Sequence, residues 1–263
     1  MSAGTSARRF QDSLIGRLID RLRSRLQSRL QSRLVGAPDY PPEPGDVATF
    51  GILGLRLPIR ATLVIAVVTF VLILDQQYDF LPRDVPFGHD AQAMRAQSLE
   101  RLVLFGLIPF LALVALRQDP RRYGVRLGEW RRGVAWMIIA GAIMTPVIVV
   151  AAAVPSIRDY YAVSITDPLS LTITHVLDLV PSEFLFRGFL MFALLRVMGP
   201  IGVVVATMPF VYAHLQKPEI ELLSTLFGGT AFGWLAWQTG SIWYGAAVHV
   251  YIVTLLILLA GGR

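Results

Sequence analysis

The chain has 263 residues, 54% hydrophobic and 16% charged, with a mean hydropathy of +0.58; so little charge over this length argues for a chain embedded in a bilayer and against a soluble domain. It contains no cysteine, which excludes disulfides, thiolate catalysis and cysteine-ligated metal. The net charge of +6 does not signal a nucleic-acid partner, because the basic residues are not interleaved with aromatic or polar readers on a soluble domain.

The basic residues instead open the chain. From Leu14 to Leu34 leucine recurs every four residues, each preceded by arginine from Arg17 onward. A residue in a helix turns about 100°, so this period drifts by about 40° per repeat and the apolar stripe winds around the helix. Two readings stay open: a basic amphipathic helix lying on anionic lipids of the cytoplasmic leaflet, or a low-complexity extension of partial helicity. Four prolines between Pro38 and Pro44 then favour an extended spacer. Residues 1–46 therefore read as a cytoplasmic appendage and 47–263 as a transmembrane helical domain. A signal peptide is not expected, since the basic stretch reaches Arg33 and the first long apolar run begins near residue 57.

Apolar runs follow at 57–74, 102–116, 134–154, 168–180, 184–198, 201–213, 220–236 and 241–260. A spanning helix needs about 20 mostly apolar residues, so some of the shorter runs must fuse. The expected fold is all-α, a polytopic transmembrane helical bundle of six to eight spans. Ten arginines lie before residue 61 and six between Arg117 and Arg132. The positive-inside rule then places the N-terminus and the loop after the second span in the cytoplasm. Gly229 and Gly233 have the spacing that lets two membrane helices approach closely, which reads as packing.

Charges at membrane depth cost several kcal/mol, so the ionisable residues inside the apolar runs are informative: His175, Asp178, Glu183, Arg187, His214 and His249. Pro181 suits the first turn of a helix restarting at membrane depth. On that helix Glu183 and Arg187 share a face one turn apart, so the guanidinium can neutralise the carboxylate and hold its rotamer. Such a pair alone is more often structural than catalytic. Two histidines on two further helices shift the balance: a carboxylate and an imidazole together can deprotonate a water, and a second imidazole can stabilise the oxyanion as a peptide carbonyl is attacked. A zinc site through Glu183, His214 and His249 is the competing chemistry, without support from an H-E-x-x-H motif. A proton relay in a small transporter ranks lower, since no inverted repeat is legible.

At these residues the chain resembles the CPBP family of intramembrane proteases, the CAAX prenyl proteases and bacteriocin-immunity (Abi-like) relatives. The family motif E-E-x-x-x-R aligns with Ser182 to Arg187, F-x-x-x-H with Phe210 to His214, and H-x-x-x-N with His249 to Val253. The resemblance runs from about Arg117 to the end. It implies a metal-free endopeptidase cutting near the cytoplasmic leaflet of a bacterial inner membrane, with a membrane-anchored or lipidated protein as substrate. It further implies Glu183 as base or its orienter, Arg187 as the residue fixing that carboxylate, His214 as partner in water activation and His249 as oxyanion stabiliser. Two positions depart from the pattern: Ser182 replaces the first Glu, and Val253 replaces the final Asn. Serine is no carboxylate base and valine donates nothing. The alternative reading is a catalytically inactive binding or immunity protein of the same fold. Asp178, four residues before Ser182, is the reserve carboxylate.

Overall fold

A computed structural model describes residues 38, 40–82, 91–162 and 167–261. The basic leucine repeat of residues 14–34 lies outside the described residues. Residues from Asp39 onward form one compact unit, so the expected division after residue 46 falls inside it.

The unit opens with a single helical turn, α1 (Pro44–Val47), and an antiparallel hairpin of β1 (Thr49–Ile52) and β2 (Leu55–Pro58). Asp46 of α1 is 4% exposed. Its Oδ1 lies 3.1 Å from Arg60 Nη1, and its Oδ2 lies 3.4 Å from both Arg122 Nη2 and Arg196 Nε. Burial by itself would raise the pKa of this carboxyl. The Glu43 backbone N–H and the three guanidinia outweigh it and hold the group below its ordinary value. A lowered folded-state pKa adds stability that is present above the unfolded value and lost as pH falls through the folded one. Thermal unfolding in detergent is therefore expected to shift downward below about pH 4, and by less in Asp46→Asn.

Helices then follow in nearly the order of the apolar runs: α2 (Ile59–Gln77), α3 (Ala91–Ala115), α4 (Trp130–Ala151), the short α5 (Pro155–Tyr160), α6 (Pro168–Glu183), α7 (Phe192–Met198), α8 (Ile201–Tyr212), α9 (Glu219–Thr239) and α10 (Trp243–Gly261). Among the described residues four helices, α2, α3, α4 and α10, are long and apolar enough to cross a membrane. Their outer faces carry what lipid would cover. On α4, for example, Ile138, Ile143, Val147 and Val150 are all exposed, which in water would be a costly surface.

The chain is mostly helical, as expected, and the alternation in "TFGILGLRLP" adds one small hairpin, most of it ahead of the apolar run that begins near residue 57. One local expectation needs correction: no helix restarts at Pro181. The Asp167 carboxylate caps α6 by accepting from the N–H groups of Leu169 and Ser170, with Pro168 in the first turn. The helix runs through Pro181 and widens into a π-helical stretch, Phe184–Met191, before continuing as α7. Gly199, with φ of 66°, and Pro200 end it. The runs 168–180 and 184–198 thus fuse into one helical rod.

That rod is the centre of the bundle. Every residue from Pro181 to Arg196 is buried, as expected for a helix that is apolar all round and surrounded by others. The surrounding helices include α2, α3, α8, α9 and α10. Phe105, Phe186, Phe189 and Phe192 fill the core with ring contacts. Gly229 and Gly233 serve as the spacing suggests. A β-carbon at Gly229 would stand 2.7 Å from Thr207 Cγ2, and one at Gly233 2.8 Å from Val203 Cγ1, so α9 lies against α8 at a separation no larger residue permits. Gly233→Leu is expected to lower stability by about 1–3 kcal/mol through overpacking, measurable as a reduced unfolding midpoint in detergent.

Candidate active site

The Phe210 ring organises the centre of the site. Its face carries the Arg187 guanidinium, 3.8 Å from the centroid, a cation–π geometry. The same ring lies 4.4 Å from His214 and 6.0 Å, edge-on, from His249, centroid to centroid. Phe232 stacks on the other side of His249 at 5.2 Å. The phenylalanine one turn before His214 thus sets the position of three of the four expected site residues.

Glu183 is 1% exposed and Arg187 2%. Glu183 Oε2 and Arg187 Nε are 3.4 Å apart, the expected one-turn pair, and Arg187 Nη2 donates to the Gly229 carbonyl at 3.5 Å. The other carboxylate oxygen accepts from His249 Nδ1 at 2.9 Å. Glu183 therefore pairs with His249 of α10, not with His214 as the sequence suggested. Its carboxylate is sealed behind the imidazole and forms no part of the cavity wall.

A cavity of about 380 Å³ lies beside this network. It is bounded by His214, His249, His175, Asp178, Ser182 and Val253, with Phe186 and Phe210 supplying apolar wall. The tautomers follow from the partners. His214 Nδ1 is 2.7 Å from the Phe210 carbonyl oxygen, which can only accept, so Nδ1 carries the proton and Nε2 keeps a lone pair in the neutral ring. His249 likewise donates from Nδ1 to the Glu183 carboxylate, which leaves Nε2 as its second functional nitrogen. Neither Nε2 has a hydrogen-bond partner among the described residues.

Ser182 and Val253 both line the cavity. The Ser182 hydroxyl donates to the Asp178 backbone oxygen at 2.8 Å, so its proton is committed within its own helix. Asp178 is the carboxylate of α6 that opens on the cavity, and its Oδ1 accepts from Arg101 Nη1 at 3.1 Å. Arg101 in turn grips Asp75 through Nε at 3.0 Å and Nη2 at 3.2 Å, so one guanidinium ties α2, α3 and α6 together. His175 Nδ1 lies 2.8 Å from Thr254 Oγ1. Sequence reasoning missed Asp75 and Arg101 because both stand at the ends of apolar runs, where they read as interfacial flanks.

Among the described residues no group of three His, Cys, Asp or Glu is arranged to hold a metal ion. Glu183 and both Nδ1 atoms are engaged in hydrogen bonds with protein partners.

These features define a helical membrane protein with a buried Glu–Arg–His network beside a cavity walled by both ionisable and apolar side chains. Residues 164–255 match the family model described as "Rce1-like: Type II CAAX prenyl endopeptidase". The match covers all three motif segments, and the resemblance to the CAAX-protease family read from them is borne out there. Comparisons with curated proteins and with solved structures gave no match.

Proposed function

We propose that the protein is an intramembrane endopeptidase that hydrolyses a peptide bond of a membrane-anchored or lipidated protein by an activated water, with no covalent intermediate. The observation that carries this reading is the pair of imidazoles, His214 and His249, each fixed at Nδ1 by a buried acceptor and each bordering the same cavity. His214 Nε2 takes a proton from water as the water oxygen adds to the peptide carbonyl carbon, and the carbonyl π electrons move onto oxygen. The protonated ring then delivers that proton to the leaving nitrogen as the C–N bond breaks. His249, in its imidazolium form, presents Nε2–H to the oxyanion while Glu183 balances its charge. In this scheme Glu183 and Arg187 are positioning residues, and the base role expected of Glu183 passes to His214.

A second reading, a non-catalytic peptide or lipid binder, is favoured by Ser182 and Val253, which line the cavity where the family motif has a carboxylate and an amide. The test uses purified protein in vesicles with membrane-tethered peptides, comparing wild type with His214→Ala, His249→Ala and Glu183→Gln. Cleavage lost in the histidine variants supports the peptidase. Cleavage unchanged in all three removes it, and peptide retention without cleavage in the wild type selects the binder. Chelator-sensitive turnover with bound zinc would revive the metal mechanism.

The proposal extends to topology. Helix α9 and the fused rod Pro168–Met198 are long enough to join the four apolar helices, which makes six spans. The N-terminus and the Arg117–Arg132 connector would lie in the cytoplasm of a bacterial cell, with anionic lipids of the inner membrane facing the basic leucine repeat.

A further inference from the structure

The hairpin before α2 has two unlike faces. In its register Phe50 stands opposite Leu57 and Ile52 opposite Leu55, whereas Thr49 stands opposite Pro58 and Gly51 opposite Arg56. Directly paired residues project to the same side of a sheet and successive residues to opposite sides. One face is therefore Phe50, Ile52, Leu55 and Leu57, and the other is Thr49, Gly51, Arg56 and Pro58. The apolar face is uncovered: Phe50 is 38% exposed, Ile52 49% and Leu55 61%. A two-stranded hairpin is at best marginal in water without something covering its apolar face.

Its turn is equally unusual. Leu53 and Gly54 occupy the two turn positions with φ of 49° and 80°, where Asn-Gly is the ordinary pair. Here the first is leucine, in the left-handed region that a branched apolar residue rarely adopts, and it is 96% exposed. A large apolar side chain is thus displayed at the tip of the hairpin, where water alone would favour a polar one.

The chain itself says what lies nearby. Pro58 ends β2 and Ile59 begins α2, one of the four helices apolar enough to cross a membrane. The Ile59 N–H donates to the Ala48 carbonyl at 2.9 Å, which fixes the base of the hairpin to the first turn of that span. Four strand residues reach about 13 Å, so the tip stays close to the headgroup layer whichever way the ribbon leans. Arg56 is exposed and makes no ion pair among the described residues, leaving a cation on the polar face for anionic headgroups.

We infer that this hairpin is a membrane-interface anchor, its Phe50–Leu57 face and Leu53 tip inserted at the headgroup–acyl boundary beside the start of α2, with Arg56 turned to anionic lipid. The inference rests on the membrane reading of α2 and not on the catalytic one. The chain lacks cysteine, so single cysteines carry a spin label cleanly. Full-length variants Ile52→Cys and Leu55→Cys on the apolar face, and Gly51→Cys and Arg56→Cys on the polar face, are labelled and reconstituted into vesicles of zwitterionic and anionic lipid. The expected result is a two-residue alternation: several-fold higher oxygen collision and lower collision with a water-soluble nickel chelate at 52 and 55 than at 51 and 56. Equal nickel access on both faces overturns the anchor. So does spin–spin broadening between copies, which would make the face a self-association surface, or protection that appears only when a peptide adds to the ribbon edge. Failure of the protein to float with the vesicles overturns the membrane reading and the anchor together.

Discussion

His249→Ala is expected to slow cleavage of a membrane-tethered peptide by about 100- to 1,000-fold, the cost of removing one oxyanion donor, with little change in fold. The side chain lies between Phe210 and Phe232 at the cavity edge, so its loss enlarges an existing space. His214→Ala, which removes the base, is expected to cost about 100- to 10,000-fold. Glu183→Gln keeps the shape and removes the charge behind His249. If Glu183 acts only through His249, the substitution slows the wild type markedly and adds almost nothing in the His249→Ala background, a coupling that a double-mutant cycle measures directly. Additive losses from the two substitutions would mean that Glu183 meets the water or substrate by itself, contrary to its placement behind the ring. Initial rates in vesicles at saturating and subsaturating peptide separate these outcomes from loss of binding.

The assignment turns on one hydrogen bond that sequence could not supply. Glu183, Arg187, His214 and His249 stand out as ionisable residues in apolar runs, and the one-turn spacing of Glu183 and Arg187 already implied their pairing. Which histidine meets the carboxylate depends on how far the helix carrying Glu183 is turned, and that phase is set by the packing around the rod. There the backbone widens into the π-helical stretch Phe184–Met191. A π-helical stretch alters the angle between residues before and after it and is found disproportionately at functional sites. Nothing in "FLFRGFLM" announces it, since each residue in it is an ordinary helix or core residue. Pro181 was a misleading cue for the same reason. Its missing N–H suits a helix start, but packing around the rod carries the helix through it.

The helices themselves were far more legible, because length and apolar content are additive properties of a segment, whereas pairing across the bundle is not. Each run from 57–74 to 241–260 became a helix or part of one, with the two central runs fused. The hairpin escaped because each strand is only four residues long and its turn is Leu53-Gly54, without the Asn-Gly pair that ordinarily announces one. Asp75 and Arg101 escaped because a charge at the end of an apolar segment ordinarily faces the membrane surface. Here both line the cavity, and Arg101 bridges Asp75 and Asp178.

The largest stability effect is expected at Arg187. Arg187→Ala leaves the Glu183 carboxylate, 1% exposed, without the cation that neutralises it, and breaking a buried pair from one side costs about 3–5 kcal/mol. It also removes the guanidinium from the Phe210 face, where it lies 3.8 Å from the centroid, so the ring that positions both histidines loses its support. Lysine is no substitute, since an ammonium has neither the planar face for that ring nor a second arm for the Gly229 carbonyl. Unfolding in mixed micelles should therefore show Arg187→Lys well below wild type and Arg187→Ala lower still. The informative variant is Glu183→Gln combined with Arg187→Met. Removing both charges while keeping volume should recover most of the lost stability, because replacing a whole buried pair costs far less than orphaning one member. Cleavage should not recover with it, since His249 would still lack its carboxylate. That separation, stability restored and catalysis absent, would distinguish a Glu–Arg pair kept to charge and orient His249 from one kept only to hold the helices together.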